Sequence, residues 1–370
     1  MPERYRTAGG ICDMKKTVYC GDVRIGGDAP VSIQSMTNTK TADIKATVRQ
    51  IEELADAGCQ IIRLAVPDME AAGAIKEIKN RVRIPVVADI HFDYRLALES
   101  IRSGADKIRI NPGNIGSEEG VQQIAALAKE RGIPIRVGVN SGSLEKDILA
   151  RYGAVTAEGL AESALRNVEA LEKYGFGDIV ISLKSSDVKM NYDAYRIVDS
   201  RSDYPLHIGV TEAGIPAKGR VKSAAGIGGL LLAGIGDTMR VSLTADPVDE
   251  VLFAREILTA VGLRRDSIEI VSCPTCGRTE VDLQSIATQV ERRLAELGDR
   301  INGNLKIAVM GCAVNGPGEA RGADLGVACG KGKGVIFSKG EIIKTVSEEN
   351  IADEIVKIAE EYEGDTGKFD

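Results

Sequence analysis

A chain of 370 residues, 44% hydrophobic and 27% charged, is long enough for a large domain plus a small one and is ordinary for a globular protein. Its net charge of −7 excludes broad, nonspecific nucleic-acid binding and confines any anion site to a local cluster of positive groups. No apolar stretch approaches the ~20 residues that cross a bilayer, and the polar start, Met1 to Gly10, has no apolar secretory segment, so no membrane association and a cytoplasmic location are expected.

The first element is a β-hairpin, Thr17 to Gly27, within an N-terminal segment of residues 1–30. From residue 31 to 262 short apolar runs alternate with longer amphipathic ones. The runs predicted as strands are Val31–Met36, Gln60–Val66, Pro85–Ile90, Lys107–Ile110, Ile133–Val139, Asp178–Leu183, Leu206–Thr211 and Thr238–Leu243. Between them lie helical patterns, such as Ile44, Val48, Ile51, Leu54 and Ala55. Another has Asp246 as N-cap and Pro247 at the first helical position, then Val251, Ala254 and Leu258. Eight strand–helix repeats predict an α/β fold, a (β/α)8 TIM barrel. The hairpin is placed to plug the barrel's N-terminal end. A doubly wound open sheet is the alternative, but no Gly-x-Gly-x-x-Gly opens a helix after the first strand. Trp is absent and aromatics are only 4%, so the core is aliphatic.

Gly262 to Asp266 reads as a polar link. Beyond it, residues 263–370 predict a small α+β domain with strands Ile268–Val271, Leu305–Met310, Leu325–Ala328 and Val335–Phe337. Its helices are Thr279–Leu297 and Asn350–Tyr362, with a frayed tail from Gly364.

In a parallel barrel the C-terminal strand ends face the active site. Polar residues at these ends are Arg63, Asp89, His91, Arg109, Asn111, Arg136, Asn140, Lys184, Glu212, Arg240 and Ser242. Four arginines and a lysine lie inside or just after apolar runs, where an unpaired charge is costly. Five cations at one mouth of an acidic protein predict a phosphate or diphosphate ligand, which guanidinium forks match. The rival reading is internal salt bridges to Asp89 and Glu212. Both carboxyls are candidates for proton transfer, with pKa values raised in a closed pocket. His91 is either a ligand contact or a hydrogen-bonded structural residue; mid-strand His207 is structural.

Cysteines number seven. In a reducing compartment they read as metal ligands or buried thiols rather than disulfides, with Cys12, Cys20 and Cys59 structural. Cys273 and Cys276, in Ser-Cys-Pro-Thr-Cys-Gly, are followed by Cys312 and Glu319 in Gly-Cys-Ala-Val-Asn-Gly-Pro-Gly-Glu. Each cluster follows a short apolar run, so each sits on a loop at a strand end. Three thiolates plus one weaker ligand suit a [4Fe–4S] cluster, with Glu319 as the displaceable ligand. A turn role for Glu319 and a zinc site recruiting Cys329 stay open.

Taken together, Val-Ser-Ile-Gln-Ser-Met-Thr-Asn-Thr, Ala-Asp-Ile-His-Phe, Arg-Ile-Asn-Pro-Gly-Asn, Gly-Val-Asn-Ser-Gly-Ser-Leu, Gly-Val-Thr-Glu-Ala-Gly, Ser-Cys-Pro-Thr-Cys-Gly-Arg-Thr and Met-Gly-Cys-Ala-Val-Asn-Gly-Pro-Gly-Glu-Ala span nearly the whole chain. The chain resembles the 4-hydroxy-3-methylbut-2-enyl diphosphate synthases of the methylerythritol phosphate isoprenoid pathway, in their two-domain bacterial form. The resemblance implies an oxidoreductase built from a barrel and an iron–sulfur cluster domain, with a [4Fe–4S] cluster on Cys273, Cys276, Cys312 and Glu319. It implies 2-C-methyl-D-erythritol 2,4-cyclodiphosphate as substrate and reduced flavodoxin or ferredoxin as electron donor. Substrate contacts map onto Arg63, Arg109, Arg136, Lys184, Arg240 and Ser242, with Asn111 and Asn140 nearby, and Glu212 and Asp89 are the acidic positions matching proton delivery. The resemblance further implies a homodimer in which one subunit's cluster domain closes over the other's barrel. The alternative is a pterin- or phosphosugar-binding barrel transferase with a zinc-stabilised C-terminal domain.

Overall fold

The apolar runs become strands because each is too short for a helix and is punctuated by Gly-bearing turns. A computed structural model describes residues 15–264, 268–297, 305–312 and 322–362. By internal contacts the chain divides into two units, residues 1–263 and 264–370.

In the first unit, β1 (Val18–Cys20) and β2 (Val23–Ile25) form the antiparallel hairpin. Eight parallel strands follow: β3 (Ser32–Met36), β4 (Ile61–Ala65), β5 (Val86–Asp89), β6 (Lys107–Ile110), β7 (Ile135–Asn140), β8 (Ile179–Lys184), β9 (His207–Ile208) and β10 (Thr238–Met239). They pair in chain order, β10 also pairs β3, and a parallel bridge from Ile181 to Leu206 joins β8 to β9, which closes the ring. Strands β9 and β10 are shorter than the runs that predict them. Their ladder stops where Gly209, lacking a side chain, lets the Arg240 carbonyl and the Lys184 ammonium come close; a Cβ there would lie 2.7 Å from that carbonyl oxygen. Helices fill the crossovers. Asp43, Asp68, Asp93, Ser117, Thr156, Asp187 and Asp246 each cap one by accepting a backbone N–H.

Val18, Cys20 and Ile25 of the hairpin pack on Ile61, Val87 and Val180 from the barrel interior. Among the described residues this apolar plug covers the N-terminal end, which leaves the C-terminal strand ends for a site.

The second unit is a five-stranded sheet in chain order: β11 (Glu269–Ser272), β12 (Lys306–Met310), β13 (Leu325–Gly330), β14 (Lys333–Ser338) and β15 (Glu341–Ser347). The first three strands are parallel and the last three antiparallel. Helices Leu283–Leu297 and Ile351–Glu361 bury Leu283, Ile286, Val290, Leu294, Ile351 and Ile355 against Ile307, Val309, Leu325 and Val327. The first helix begins four residues later than predicted, because Asp282 accepts the Ser285 N–H and acts as its cap. Strand β15 has no counterpart in the sequence reading. Its first five residues are exposed, so it carries no burial period to read. Arg265 and Asp266 of the link and the tail from Gly364 lie outside the described residues, as do Cys12 and Glu319.

Candidate functional site

The strand register sets the site. Asp89 pairs with Arg109, and Arg109 with Arg136, across β5, β6 and β7, so their side chains stand side by side in the barrel. One Asp89 carboxylate oxygen lies 3.1 Å from Nη1 of Arg109; the other lies 3.7 Å from Nε of Arg63 and 3.7 Å from Nε2 of His91. Arg109 also donates to the Gly138 carbonyl at 3.3 Å. It lies flat over Gly138, where a Cβ would sit 2.4 Å from its Nε. Arg63 turns Nε and Nη2 to the Met36 sulfur at 3.1 and 2.9 Å, a weak acceptor. Arg240 donates to Glu250 at 3.2 Å, and Glu250 also accepts the Leu243 N–H.

Arg136 and Lys107 differ from these. Arg136 is 1% exposed, and its Nε and Nη1 have no hydrogen-bond partner; Lys107 is fully buried with its Nζ likewise unpartnered. Buried Lys184 ends β8 within electrostatic range of Arg136, Arg63, Arg240 and Arg109. The pKa shifts register this crowding. Burial, reinforced by neighbouring cations, pushes Arg136 and Lys184 well below their usual ranges, Arg63 down to about 10 and Lys107 down to about 8. Five cationic side chains (Arg63, Arg109, Arg136, Lys184, Arg240) face two carboxylates, Asp89 and Glu250, while Lys107, at the start of its strand, has Cys20 of the plug and Asp106 among its neighbours. Such an excess in a water-poor interior is costly, and an anion would offset it. The interior therefore fits a multiply charged anionic ligand, with Arg136 and Lys184 the groups it would satisfy.

Salt-bridge pairing holds for Asp89 and for Arg240 with Glu250. The expectation of a raised Asp89 pKa is corrected here. Burial alone would push its carboxyl up, but Arg63, then His91, Arg109 and Arg136 outweigh burial and hold it far below the usual range. At neutral pH Asp89 is a carboxylate that orients two arginines. Glu212 is exposed on the loop after β9, with φ at +51°, a left-handed conformation unusual for a side-chain-bearing residue. Half-buried Ser242 lies two residues beyond Arg240. His91 sits at the rim, 57% exposed. His207 is fully buried and held neutral, burial and then Arg136 driving its pKa well down. Asn140 ends β7 in register with Lys184. Asn111 turns its carbonyl back to the Gly113 N–H at 3.1 Å.

Glu250 and Met36, which hold Arg240 and Arg63, escaped the sequence reading, as did Lys107 beneath them. Two of them left a signal. Lys107 shares the inward alternation of Arg109, and Glu250 lies on the buried stripe with Ala254 and Ile257 at helical spacing.

In the second unit, Cys273 follows β11 and Cys312 follows β12, its parallel neighbour. The Cys273 sulfur accepts the Gly311 N–H at 3.2 Å, one residue before Cys312. Cys276 is exposed, and hydrogen bonds from the Arg278 backbone and side chain draw its thiol down. Cys329 is buried in the core, where burial pushes its thiol up to about 12, which disfavours it as a thiolate ligand. Among the described residues no three His, Cys, Asp or Glu side chains converge on a metal position, and Glu319 lies outside them. The donor chemistry nevertheless fits a sulfur-bound group: thiols on adjacent strand-end loops, one receiving an amide N–H and one lowered by an arginine.

Comparison with known proteins agrees on both units. Residues 15–255 match the family described as GcpE TIM-barrel domain, and residues 269–361 the GcpE protein C-terminal domain. A relative in Caldanaerobacter subterraneus subsp. tengcongensis is 58% identical over 93% of this chain and 96% of its own. One in Clostridium acetobutylicum is 58% identical over 92% of this chain and 97% of its own. Both are named 4-hydroxy-3-methylbut-2-en-1-yl diphosphate synthase (flavodoxin). Among solved structures, the dihydropteroate synthase of Yersinia pestis aligns at a TM-score of 0.48 with 11% identity, over 66% of this chain and 97% of that one, too distant to bear on function. With both units matched and relatives this similar over nearly the full length, the chain belongs to the GcpE family.

Proposed function

We propose that this chain converts 2-C-methyl-D-erythritol 2,4-cyclodiphosphate to 4-hydroxy-3-methylbut-2-enyl diphosphate. The conversion takes two electrons and a proton, opens the ring at the C2–O bond and releases the C3 oxygen as water. The carrying observation is the cation excess inside the sealed barrel, above all the buried guanidinium of Arg136, whose Nε and Nη1 have no hydrogen-bond partner. A cyclic diphosphate brings the negative charge that this interior calls for. The names of the relatives support the reductive reading over a barrel transferase, and support flavodoxin as the donor of electrons.

Arg63, Arg109, Arg136, Lys184 and Arg240 bind the two phosphates, with Ser242, Asn111, Asn140 and His91 at the rim. Asp89 holds Arg63 and Arg109 in place. Glu212, on a strained loop at the open end, is the stronger candidate for proton delivery. Bound by Cys273, Cys276, Cys312 and Glu319, a [4Fe–4S] cluster would supply electrons and a Lewis-acidic iron. The barrel is then the substrate domain and residues 263–370 the cluster domain. A homodimer with the active site shared between subunits follows from the resemblance, and the short link at Gly262–Asp266 agrees with it.

The test is product formation from the cyclodiphosphate by anaerobically purified, iron-reconstituted protein with reduced flavodoxin. Reductant-dependent release of the allylic diphosphate is the expected result; a colourless protein that leaves the substrate intact refutes the proposal.

A further inference from the structure

We infer that Asn167 is a positioning residue: its side-chain amide ties the loop after β6 to the loop after β7 and so fixes where Asn111 and Asn140 stand. This rests on the substrate role proposed above for those two loops.

Asn167 lies in the helix Ala157–Glu172, on the outside of the barrel, and is buried. Asparagine is a poor choice for a buried helix interior, so its presence needs a reason. Its Oδ1 accepts the Gly113 N–H at 2.8 Å. Its Nδ2 donates to Oε1 of Glu145 at 3.1 Å and to the Ser163 carbonyl at 2.8 Å. Gly113 is a donor, and the other two partners are acceptors, so the amide fits in one orientation only. Glu145 is completed by the Ser163 hydroxyl at 2.6 Å. It precedes the helix Lys146–Tyr152, where a cap would sit, yet makes no capping bond; its carboxylate turns to Asn167 instead.

Gly113 and Glu145 belong to different loops. Gly113 sits two residues after Asn111, whose Oδ1 shares the same N–H, in the loop that follows the strand bearing Arg109. Glu145 sits five residues after Asn140, in the loop that follows the strand bearing Arg136. A Cβ on Gly113 would lie 3.1 Å from Oε1 of Glu145, so the loops approach closely at this glycine. Outside them lies a cavity of about 550 Å³ bounded by Pro112, Gly113, Glu145 and Asn167. Ile115 and Leu144 seat the two loops separately in the core, and the amide network is what joins one loop to the other across that space.

The test compares wild type with Asn167→Ala by amide hydrogen exchange and steady-state kinetics. Exchange at Gly113 should quicken about tenfold, the worth of one lost hydrogen bond. KM for the cyclodiphosphate should rise about tenfold or more, with a smaller fall in kcat, since loop misplacement weakens binding. Should Asn167→Ala fold poorly, Asn167→Asp keeps the acceptor for Gly113 but sets a carboxylate against Glu145, and the KM rise should persist. Unchanged exchange at Gly113, or a fall in kcat with KM unmoved, overturns the inference. Absent turnover in wild type counts against the reaction, and exchange at Gly113 still decides the tie.

Discussion

Replacing Asp89 with Asn tests whether this carboxylate neutralises the barrel's cations. The side chain keeps its shape and loses its charge. Arg109 stands at 3.1 Å and Arg63 at 3.7 Å. Unit charges ~4 Å apart attract by about 4 kcal/mol at an effective dielectric near 20. Two such attractions, less several kcal/mol for desolvating the carboxylate, leave about 3–5 kcal/mol of stability at risk. Urea unfolding at pH 7 should show a loss of that order. The pH dependence has a definite sign. A carboxyl whose folded pKa is depressed stabilises the fold above its unfolded value, ~3.9, and the contribution fades as pH falls toward the folded pKa. The gap between wild type and Asp89→Asn should therefore be full at pH 7 and narrow below pH ~4. Saturating pyrophosphate should stabilise the variant more than wild type, because the variant has more unneutralised cation. Equal stability at pH 7, or a gap that persists unchanged into acid, refutes the reasoning.

Arg136→Met removes a buried and under-satisfied charge at similar volume; unfolding in the absence of ligand should become harder by about 1–4 kcal/mol, read by urea titration. Glu212→Gly relieves the left-handed backbone, for a net gain of about 0.5–1 kcal/mol after the added freedom of the unfolded chain. Turnover should fall if its carboxyl delivers the proton, and wild-type turnover in Glu212→Gly removes it from the reaction. Cys312→Ser should lose bound iron, measured by metal analysis, while the far-ultraviolet circular dichroism of the barrel stays unchanged. Mixing Cys312→Ser with Arg136→Ala subunits should restore about a quarter of wild-type activity if sites are shared across a dimer; no recovery on mixing speaks for sites within one subunit.

The barrel was legible because strands buried on both faces read as continuous apolar runs, and charges inside such runs have no solvent to go to. Arg63, Arg109, Arg136, Lys184 and Arg240 stand out in the sequence for that reason. Pairing of Asp89 with arginines stands among the sequence readings, but the direction of its pKa does not follow from them, because its partners come from register: Arg109 is 20 residues away in sequence and adjacent across the ladder. A carboxyl read alone suggests a raised pKa; two guanidinium neighbours reverse the direction. Glu250 sits on a helix whose apolar stripe conceals a single carboxylate. The tie made by Asn167 is invisible at sequence level, since it joins residues 54 and 22 positions apart. Strand β15 escaped because pairing, rather than burial, makes it a strand.

The account rests on a cation excess that receives a cyclic diphosphate. Calorimetric titration of 2-C-methyl-D-erythritol 2,4-cyclodiphosphate into wild type and Arg136→Met tests it most directly. The account predicts saturable binding by wild type that weakens with added salt, and an affinity lower by about tenfold or more in Arg136→Met. Equal affinity in the two proteins, or no binding by wild type, would contradict it.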